Sequence, residues 1–245
     1  MKGSKLFMTQ ANETPAGLRA IKRMVPRAIK EATKRALLAR TFRRTVQAIM
    51  ALPAGELPSR ELLADLQRGW SNEGMAADID YIEEVARRAL GASGPVLECG
   101  SGLTTILLGL LAGKRGVGVW SLEHLPEWQQ RVESALKQSG IPNVHVCLAP
   151  LKSYGAFSWY DAPLLTMPEN FQLIVCDGPP EITPGGRYGL LPVMRERIHA
   201  GASILLDDAN RASESRVLKM WAAEAKMSIS FRQLPGGAFA LATFY

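Results

Sequence analysis

Acidic residues beside a glycine turn form the first group of side chains in this chain that could do chemistry. The turn reads Glu98-Cys99-Gly100-Ser101-Gly102, and Glu123 follows about 20 residues later. Glycines let the backbone turn tightly and approach a ligand, while a helix that starts there offers unpaired N–H groups to an anion. An acid at the end of the next strand is placed to bind two ribose hydroxyls. These residues predict a nucleoside-cofactor site.

A second group of acids follows two apolar runs. Asp177 comes directly after Phe171–Cys176, and Asp207 and Asp208 end a run that begins at Ala202. Because open α/β sheets bind ligands at the carboxyl ends of their strands, we expect the three carboxylates to converge. Converging carboxylates must share a metal cation, a proton or cationic partners. Since oxygen ligands suit Mg²⁺, Ca²⁺ or another divalent cation, the three aspartates are our candidate catalytic and metal-binding residues.

A metal-free arrangement of the second group remains open. In that arrangement Asp177 acts as the general base or contacts the cofactor. One residue of the Asp207-Asp208 pair then caps the following turn, and the other pairs with Arg187 or Arg211.

Hydrophobic patterning predicts the elements that hold these groups in place. The predicted strands cover residues 95–99, 117–122, 144–148, 171–177, 202–208, 228–234 and 238–245. One helix is predicted to start at Glu61. The other predicted helices cover residues 77–90, 103–112, 126–138, 190–199 and 213–226. Residues 153–168 are rich in aromatic side chains and predict an inserted hairpin or lid. This order predicts an α/β fold with a doubly wound, mostly parallel seven-stranded sheet and a C-terminal antiparallel hairpin.

The glycine turn, the acid after the second strand and the terminal hairpin together resemble class I S-adenosylmethionine-dependent methyltransferases. The resemblance covers about Trp70–Tyr245. It implies S-adenosylmethionine as the cofactor, with Glu98 near its ammonium group and Glu123 on its ribose. It also implies further cofactor contacts from Trp70, Asn72, Gly100, Ser101, Gly102, His124, Leu151 and Asp177. Packing between helices is an equally good interpretation of Trp70.

Some methyltransferases of the resembled class depend on a metal ion, and these enzymes transfer the methyl group to a hydroxyl. Their metal-binding residue pattern is partly present in this chain. In such O-methyltransferases an Asp after the fourth strand and an Asp-Asn pair after the fifth hold a divalent ion. Asp177 and Asp207 match in place and type, whereas Asp208 stands where the pattern has Asn, with Asn210 two residues further on. The resemblance therefore implies methylation of a hydroxyl on a small molecule or glycan, with or without a metal.

Two other functions remain open. A nicotinamide-dependent oxidoreductase would use a G-x-G-x-x-G fingerprint, but Thr105 replaces its third glycine and the terminal hairpin is unusual for that class. A non-catalytic protein could keep the fold only to bind the cofactor.

Charge divides the chain near residue 60. Residues 1–50 hold 12 Lys and Arg against 2 Asp and Glu, in a chain whose net charge is +6. From Leu18 to Met50 apolar residues recur at helical spacing, with a break at Pro26, which predicts a pair of basic amphipathic helices. Residues 51–60 contain two prolines and a glycine and predict a linker. We expect a basic helical extension over 1–60 and a Rossmann-like methyltransferase domain over 61–245.

Three roles for the basic extension remain open. It can cap the catalytic domain, dock residues 18–50 on an anionic membrane surface, or bind nucleic acid. Nucleic acid is the least favoured, because no aromatic stacking platform accompanies the charges. The chain has no apolar run of membrane-spanning length and no signal-peptide core, so we expect a cytoplasmic protein, peripheral to the inner face of the membrane if the extension binds lipid. A homo-oligomer is compatible with the sequence.

Overall fold

The computed structural model describes residues 26–72 and 77–245 of the chain. The basic helix predicted before Pro26 lies outside the described residues. The α-helices are α1 (Arg27–Ala51), α2 (Arg60–Trp70), α3 (Ile79–Gly91), α4 (Leu103–Gly113), α5 (Pro126–Ser139), α6 (Leu190–Met194) and α7 (Ala212–Glu224). The strands are β1 (Val96–Cys99), β2 (Val119–Glu123), β3 (Val144–Leu148), β4 (Leu151–Ser153), β5 (Ser158–Tyr160), β6 (Phe171–Cys176), β7 (Ile198–Leu206), β8 (Met227–Gln233) and β9 (Ala238–Phe244).

The main sheet has seven strands in the order β3-β2-β1-β6-β7-β9-β8. The first five are parallel to one another, and β9 runs antiparallel to both of its neighbours, β7 and β8. The order reverses beside β1, so the crevice at its carboxyl end is the expected ligand site of a doubly wound sheet. The predicted fold class is confirmed, including the terminal hairpin. The inserted hairpin is also present, as the β4–β5 pair.

Alternate residues of the central strands face opposite sides of the sheet, and each side has its own core. Val96, Leu173 and Val175 belong to a core shared with α1 to α5. Leu97 and Ile174 belong to a second core, shared with β5, α6 and α7. Strands that are apolar on both faces require helices on both faces, which explains the layered arrangement.

Only the C-terminal part of α1 packs against this body. Residues 26–37 are exposed, whereas Phe42 and Ile49 are buried in the core of α2 to α5. The Lys114 ammonium, on the turn after α4, donates to the carbonyl oxygens of Ile49 and Leu52, each at 2.7 Å. The end of α1 is therefore fastened to the domain, and the division near residue 60 stays a prediction. Within the described ranges, no helix has both the length and the apolar character needed to cross a bilayer.

The helix predicted over 190–199 is wrong in its second half. Helix α6 stops at Met194, a short 3-10 turn covers Arg195–Arg197, and β7 starts at Ile198 rather than at the predicted Ala202. Ile198 pairs with Phe171 on β6 before the register shifts. Pairing with a buried strand therefore overrides the local helical pattern, as tertiary contacts often do.

Candidate functional site

A cavity of about 380 Å³ lies at the carboxyl ends of β1, β2 and β6. We call it the glycine-turn cavity. Eight of the ten predicted cofactor contacts line it: Trp70, Asn72, Gly100, Ser101, Gly102, Glu123, His124 and Asp177. The residues predicted from four separate segments therefore lie together in the structure, although a cofactor role for each stays a prediction.

Gly100 shapes the floor of the cavity. Its φ of +93° lies in the left-handed region that favours glycine. A Cβ at this position would lie 3.1 Å from the backbone nitrogen of Gly178, which follows β6. The Gly178 amide in turn donates to the Cys99 carbonyl at 2.7 Å. The absence of a side chain thus lets the turns after β1 and β6 meet and leaves the space above them open.

Glu123 joins the end of β2 to the glycine turn. Its side chain is almost fully buried and accepts four hydrogen bonds. Oε2 accepts from the amide of Ser101 at 3.2 Å and from its hydroxyl at 2.7 Å. Oε1 accepts from the amides of His124 and Leu125, at 2.8 and 2.9 Å. All four acceptor positions of the carboxylate are used, so a ribose hydroxyl binds only by replacing a donor, and the Ser101 hydroxyl is the one free to rotate away.

Glu98 lies beneath the turn and does not line the cavity. It is fully buried, and its Oε2 accepts from the hydroxyls of Thr105 at 2.5 Å and Ser121 at 2.6 Å. The Thr105 hydroxyl also accepts from the Gly102 amide at 2.7 Å. Burial raises the pKa of Glu98 to about 7, against the lowering effect of its hydroxyl donors. Glu98 therefore supports the turn from below, and its predicted place near the ammonium group stays a prediction.

Two aromatic side chains close one side of the cavity. Arg131 lies between Trp70 and Trp128, with its Cζ 4.6 Å from the centre of each ring. The Trp128 indole also donates to the Ser101 carbonyl at 2.6 Å. Trp70 both packs between helices and lines the cavity, so its two interpretations are compatible. Leu151, by contrast, begins β4 outside the lining of this cavity.

The second acidic group converges as expected. One carboxylate oxygen from each of Asp177, Asp207 and Asp208 lies within 4.8 Å of the other two. The buried guanidinium of Arg187 stands among them and donates from Nη2 to Asp177 Oδ1 at 3.1 Å and to Asp208 Oδ2 at 3.2 Å. Arg211 adds an ion pair, with its Nη1 2.9 Å from Asp208 Oδ2. The shared cationic partner is therefore arginine.

The buried guanidinium disfavours a resident divalent ion at these carboxylates, and the predicted metal site stays a prediction. Arg187 also donates to the backbone carbonyls of Asp207 at 2.6 Å and Asp177 at 2.8 Å, so four hydrogen bonds hold it in place. A metal would have to share these carboxylates with the buried guanidinium, which bonds one oxygen of Asp177 and one of Asp208, and the two cations would repel each other. Burial, together with repulsion from Asp177 and Asp208, raises the pKa of Asp207 to about 7. Burial also raises the pKa of Asp177, although Arg187 opposes that shift.

A smaller cavity of about 270 Å³ adjoins the first, and we call it the acidic cavity. Asp177, Arg211 and Ala77 line both cavities. The rest of its lining comes from the acidic group and the terminal hairpin turn: Asp78, Asp207, Asp208, Leu234, Gly236, Gly237 and Ala238. Asp177 therefore stands where the two spaces meet.

The sequence missed several lining residues. Gln67, Trp128, Tyr160 and Glu181 all line the glycine-turn cavity. The dense aromatic content of residues 153–168 indicated a hairpin near the site, but did not distinguish Tyr160 from its neighbours. The contact with Trp128 depends on the rotation of α5, which periodicity alone leaves open.

Comparisons with known proteins identify the fold. No protein-family profile and no curated protein sequence matches this chain. An O-methyltransferase from Bacillus cereus in complex with SAH is 18% identical, with a TM-score of 0.52 over 84% of this chain and 91% of that chain. A precorrin-6y C5,15-methyltransferase from Geobacter metallireducens GS-15 is 10% identical, with a TM-score of 0.51 over 71% and 91%. A SAM-dependent methyltransferase from Aquifex aeolicus is 14% identical, with a TM-score of 0.50 over 76% and 98%. The chain therefore has the fold of the class I methyltransferases.

Proposed function

We propose that this chain is an S-adenosylmethionine-dependent methyltransferase that methylates a hydroxyl of a small molecule or glycan without a resident metal. The observation that carries this proposal is the glycine-turn cavity, which unites the glycine turn, the buried acid of β2 and the strand-end Asp177 at one edge of the sheet. The solved structures with the same fold include a methyltransferase in complex with SAH.

The residues of the glycine-turn cavity divide by chemistry. The amides of Leu103 and Thr104, in the first turn of α4, line the cavity and suit the carboxylate of the methionine moiety. Glu123 suits the ribose hydroxyls, and His124 and Trp128 offer flat surfaces for the adenine. When bound, S-adenosylmethionine supplies an electrophilic methyl group on a sulfonium.

Asp177 is placed to accept the proton of the acceptor hydroxyl. Its side chain is about one-third exposed and lies at the junction of the two cavities. Arg187 holds Asp177 Oδ1 at 3.1 Å, which fixes the carboxylate and favours its ionised form. A positioned base and an aligned acceptor are what an in-line methyl transfer asks of a protein.

The acidic cavity supports an acceptor that is rich in hydroxyls. Its carboxylates offer several hydrogen-bond acceptors, and Arg211 offers donors. A polyol or sugar presents both kinds of group in a small volume. A strongly anionic acceptor is disfavoured by the aspartates.

Calorimetric titration tests the cofactor. We expect the chain to bind S-adenosylhomocysteine and not NADH, and we expect Glu123→Gln to weaken binding roughly tenfold. Glu133→Gln, an exposed change on α5, is the matched control and leaves the affinity unchanged. Binding of NADH alone would support the oxidoreductase, and binding of neither cofactor would overturn the proposal.

Transfer of labelled methyl groups tests the reaction. We expect incorporation into members of a panel of sugars and small hydroxylated molecules, and loss of incorporation in Asp177→Asn. Binding of S-adenosylhomocysteine without transfer to any acceptor would favour the non-catalytic alternative.

We also propose that the exposed part of α1 docks on an anionic membrane surface. Lys30, Lys34, Leu37, Arg40 and Arg44 recur every three or four residues, on the face opposite the buried side of the helix. Leu37 lies within this basic stripe and is 63% exposed. An apolar side chain among cations favours a lipid surface over nucleic acid, because it can insert at the acyl boundary.

Vesicle flotation tests the membrane proposal. We expect the chain to float with anionic vesicles and not with neutral ones, and we expect combined replacement of Lys30, Arg40 and Arg44 by Gln to abolish flotation. Leu37→Gln should weaken it partially. Recovery with neutral and anionic vesicles alike would contradict the proposal.

A further inference from the structure

Tyr160 ends β5 and carries a hydroxyl that the fold leaves without a partner. The side chain is fully buried, and among the described residues no group accepts or donates a hydrogen bond to its Oη. Leaving such a group unsatisfied costs about 1–3 kcal/mol. Tyr160 nevertheless lines the glycine-turn cavity, where a bound molecule could supply the missing partner.

The position of this hydroxyl is set by its neighbours. A Cβ added to Gly178 would overlap the Tyr160 Oη, so the hydroxyl lies directly against the turn that follows β6. The Tyr160 ring meets the ring of His124 edge to face, with centroids 6.2 Å apart. The Tyr154 hydroxyl donates to the Tyr160 carbonyl at 3.0 Å and fixes its backbone. The ring thus meets the residue after Glu123, and its hydroxyl meets the residue after Asp177.

We propose that the Tyr160 hydroxyl positions the nucleoside part of the cofactor by donating a hydrogen bond to one of its oxygen or nitrogen atoms. This inference rests on the proposed function. Burial raises the pKa of Tyr160 well above its ordinary value, so the hydroxyl keeps its proton and acts as a donor. The inserted β4–β5 hairpin then contributes to cofactor binding as well as to covering the sheet.

Tyr81 provides a matched control. It is also a fully buried tyrosine whose hydroxyl has no partner among the described residues, but it lines neither cavity. Replacing either tyrosine by Phe removes one orphaned hydroxyl and keeps the ring. Only the Tyr160 change removes a donor to the cavity.

The test measures the affinity of both variants for S-adenosylhomocysteine and adenosine by calorimetry, and their melting temperatures without ligand. Tyr160→Phe is expected to weaken both ligands roughly three- to tenfold, by loss of one hydrogen bond, without lowering the melting temperature of the free protein. Tyr81→Phe is expected to leave both affinities within about twofold, since it removes no contact to the cavity.

Several outcomes would overturn the assignment. The assignment fails if wild type and Tyr160→Phe bind the ligands with equal affinity. It also fails if Tyr81→Phe weakens binding as much as Tyr160→Phe does. A loss confined to S-adenosylhomocysteine would place the contact outside the nucleoside. A lower melting temperature of free Tyr160→Phe would indicate a structural role. If wild type binds no S-adenosylhomocysteine at all, the proposed function fails. If wild type binds it and Tyr160→Phe binds it equally well, only this inference fails.

Discussion

Glu98 and Asp207 are both buried carboxyl groups whose pKa is raised to about 7, but their surroundings differ. Glu98 lies among uncharged hydroxyl donors, from Thr105 and Ser121. Asp207 lies beside two further aspartates and the guanidinium of Arg187. Beneath the turn, therefore, the carboxyl accepts from hydroxyls alone, and its Oε1 has no partner among the described residues, whereas at the ends of β6 and β7 the protein adds a permanent cation.

The region around Glu98 is therefore a structural support for the glycine turn, whereas the region around Asp207 is a charged centre. Hydroxyl donors can serve a neutral or an ionised carboxyl, so the region under the turn tolerates a change of protonation. Arg187 cannot lose its charge, so the strand-end group keeps a fixed positive centre at any physiological pH. Changes at each region should therefore have different signatures.

The largest effect is expected for Arg187→Met. Removing the guanidinium takes four hydrogen bonds from the strand ends and leaves Asp177 without its cationic partner, so the free energy of unfolding should fall by about 3–5 kcal/mol. Urea unfolding followed by circular dichroism measures this loss. Arg211→Met is the control, because that side chain is 41% exposed and its pair with Asp208 is worth less than about 1 kcal/mol. Equal losses in the two variants would remove the distinction between the regions.

A smaller, pH-dependent effect is expected for Glu98→Gln. The pKa of Glu98 is raised from 4.5 to about 7, so between these pH values the folded state binds more protons than the unfolded state. Wild type therefore loses stability through this group as pH rises from 4.5 to 7, and the penalty is complete above 7. Relative to wild type, Glu98→Gln should gain of the order of 2–3 kcal/mol across that range. The measurement is the free energy of unfolding of both proteins at several pH values. A constant difference between them from pH 4.5 to 7 would contradict the prediction.

Ser101→Ala should change cofactor affinity only slightly. The change frees one acceptor position on Glu123 for a ribose hydroxyl, so the Kd for S-adenosylhomocysteine should stay equal or tighten up to about threefold. Ser121→Ala, which alters the partner of Glu98 instead, should leave the Kd unchanged. A clear loss of affinity in Ser101→Ala would mean that the serine hydroxyl itself binds the cofactor.

No effect is expected from removing metal ions. Because Arg187 already bonds one carboxylate oxygen of Asp177 and one of Asp208, EDTA treatment and addition of Mg²⁺ should alter neither the melting temperature nor methyl transfer. Loss of transfer in EDTA with recovery in Mg²⁺ would show that a metal replaces the arginine.

Much of the architecture could be predicted from the sequence, because its signals are local. Apolar strands ending on glycine or acids, such as Phe171–Cys176 before Asp177, determine both the strand and the edge of the sheet at which ligands bind. The convergence of Asp177, Asp207 and Asp208 followed from the same reasoning.

What the sequence could not predict depends on contacts between distant residues. Thr105 indicated only that a dinucleotide fingerprint was missing, but its hydroxyl links Gly102 to Glu98. Arg187 was one of two candidate partners for an aspartate, and only the packing of its loop against β6 and β7 makes it the buried centre of the group. The start of β7 was misplaced for the same reason, since pairing between Ile198 and Phe171 depends on the assembled sheet.

The ammonium of Lys114 has a consequence for how the chain can be shortened. It donates hydrogen bonds to the carbonyl oxygens of Ile49 and Leu52 at the C-terminal end of α1. A chain beginning after residue 52 would lose both acceptors and uncover the apolar side chains of α2 that meet Phe42 and Ile49. The basic segment is thus continuous with an integral part of the folding unit, and its C-terminal end is bonded directly after the helix that starts at the glycine turn.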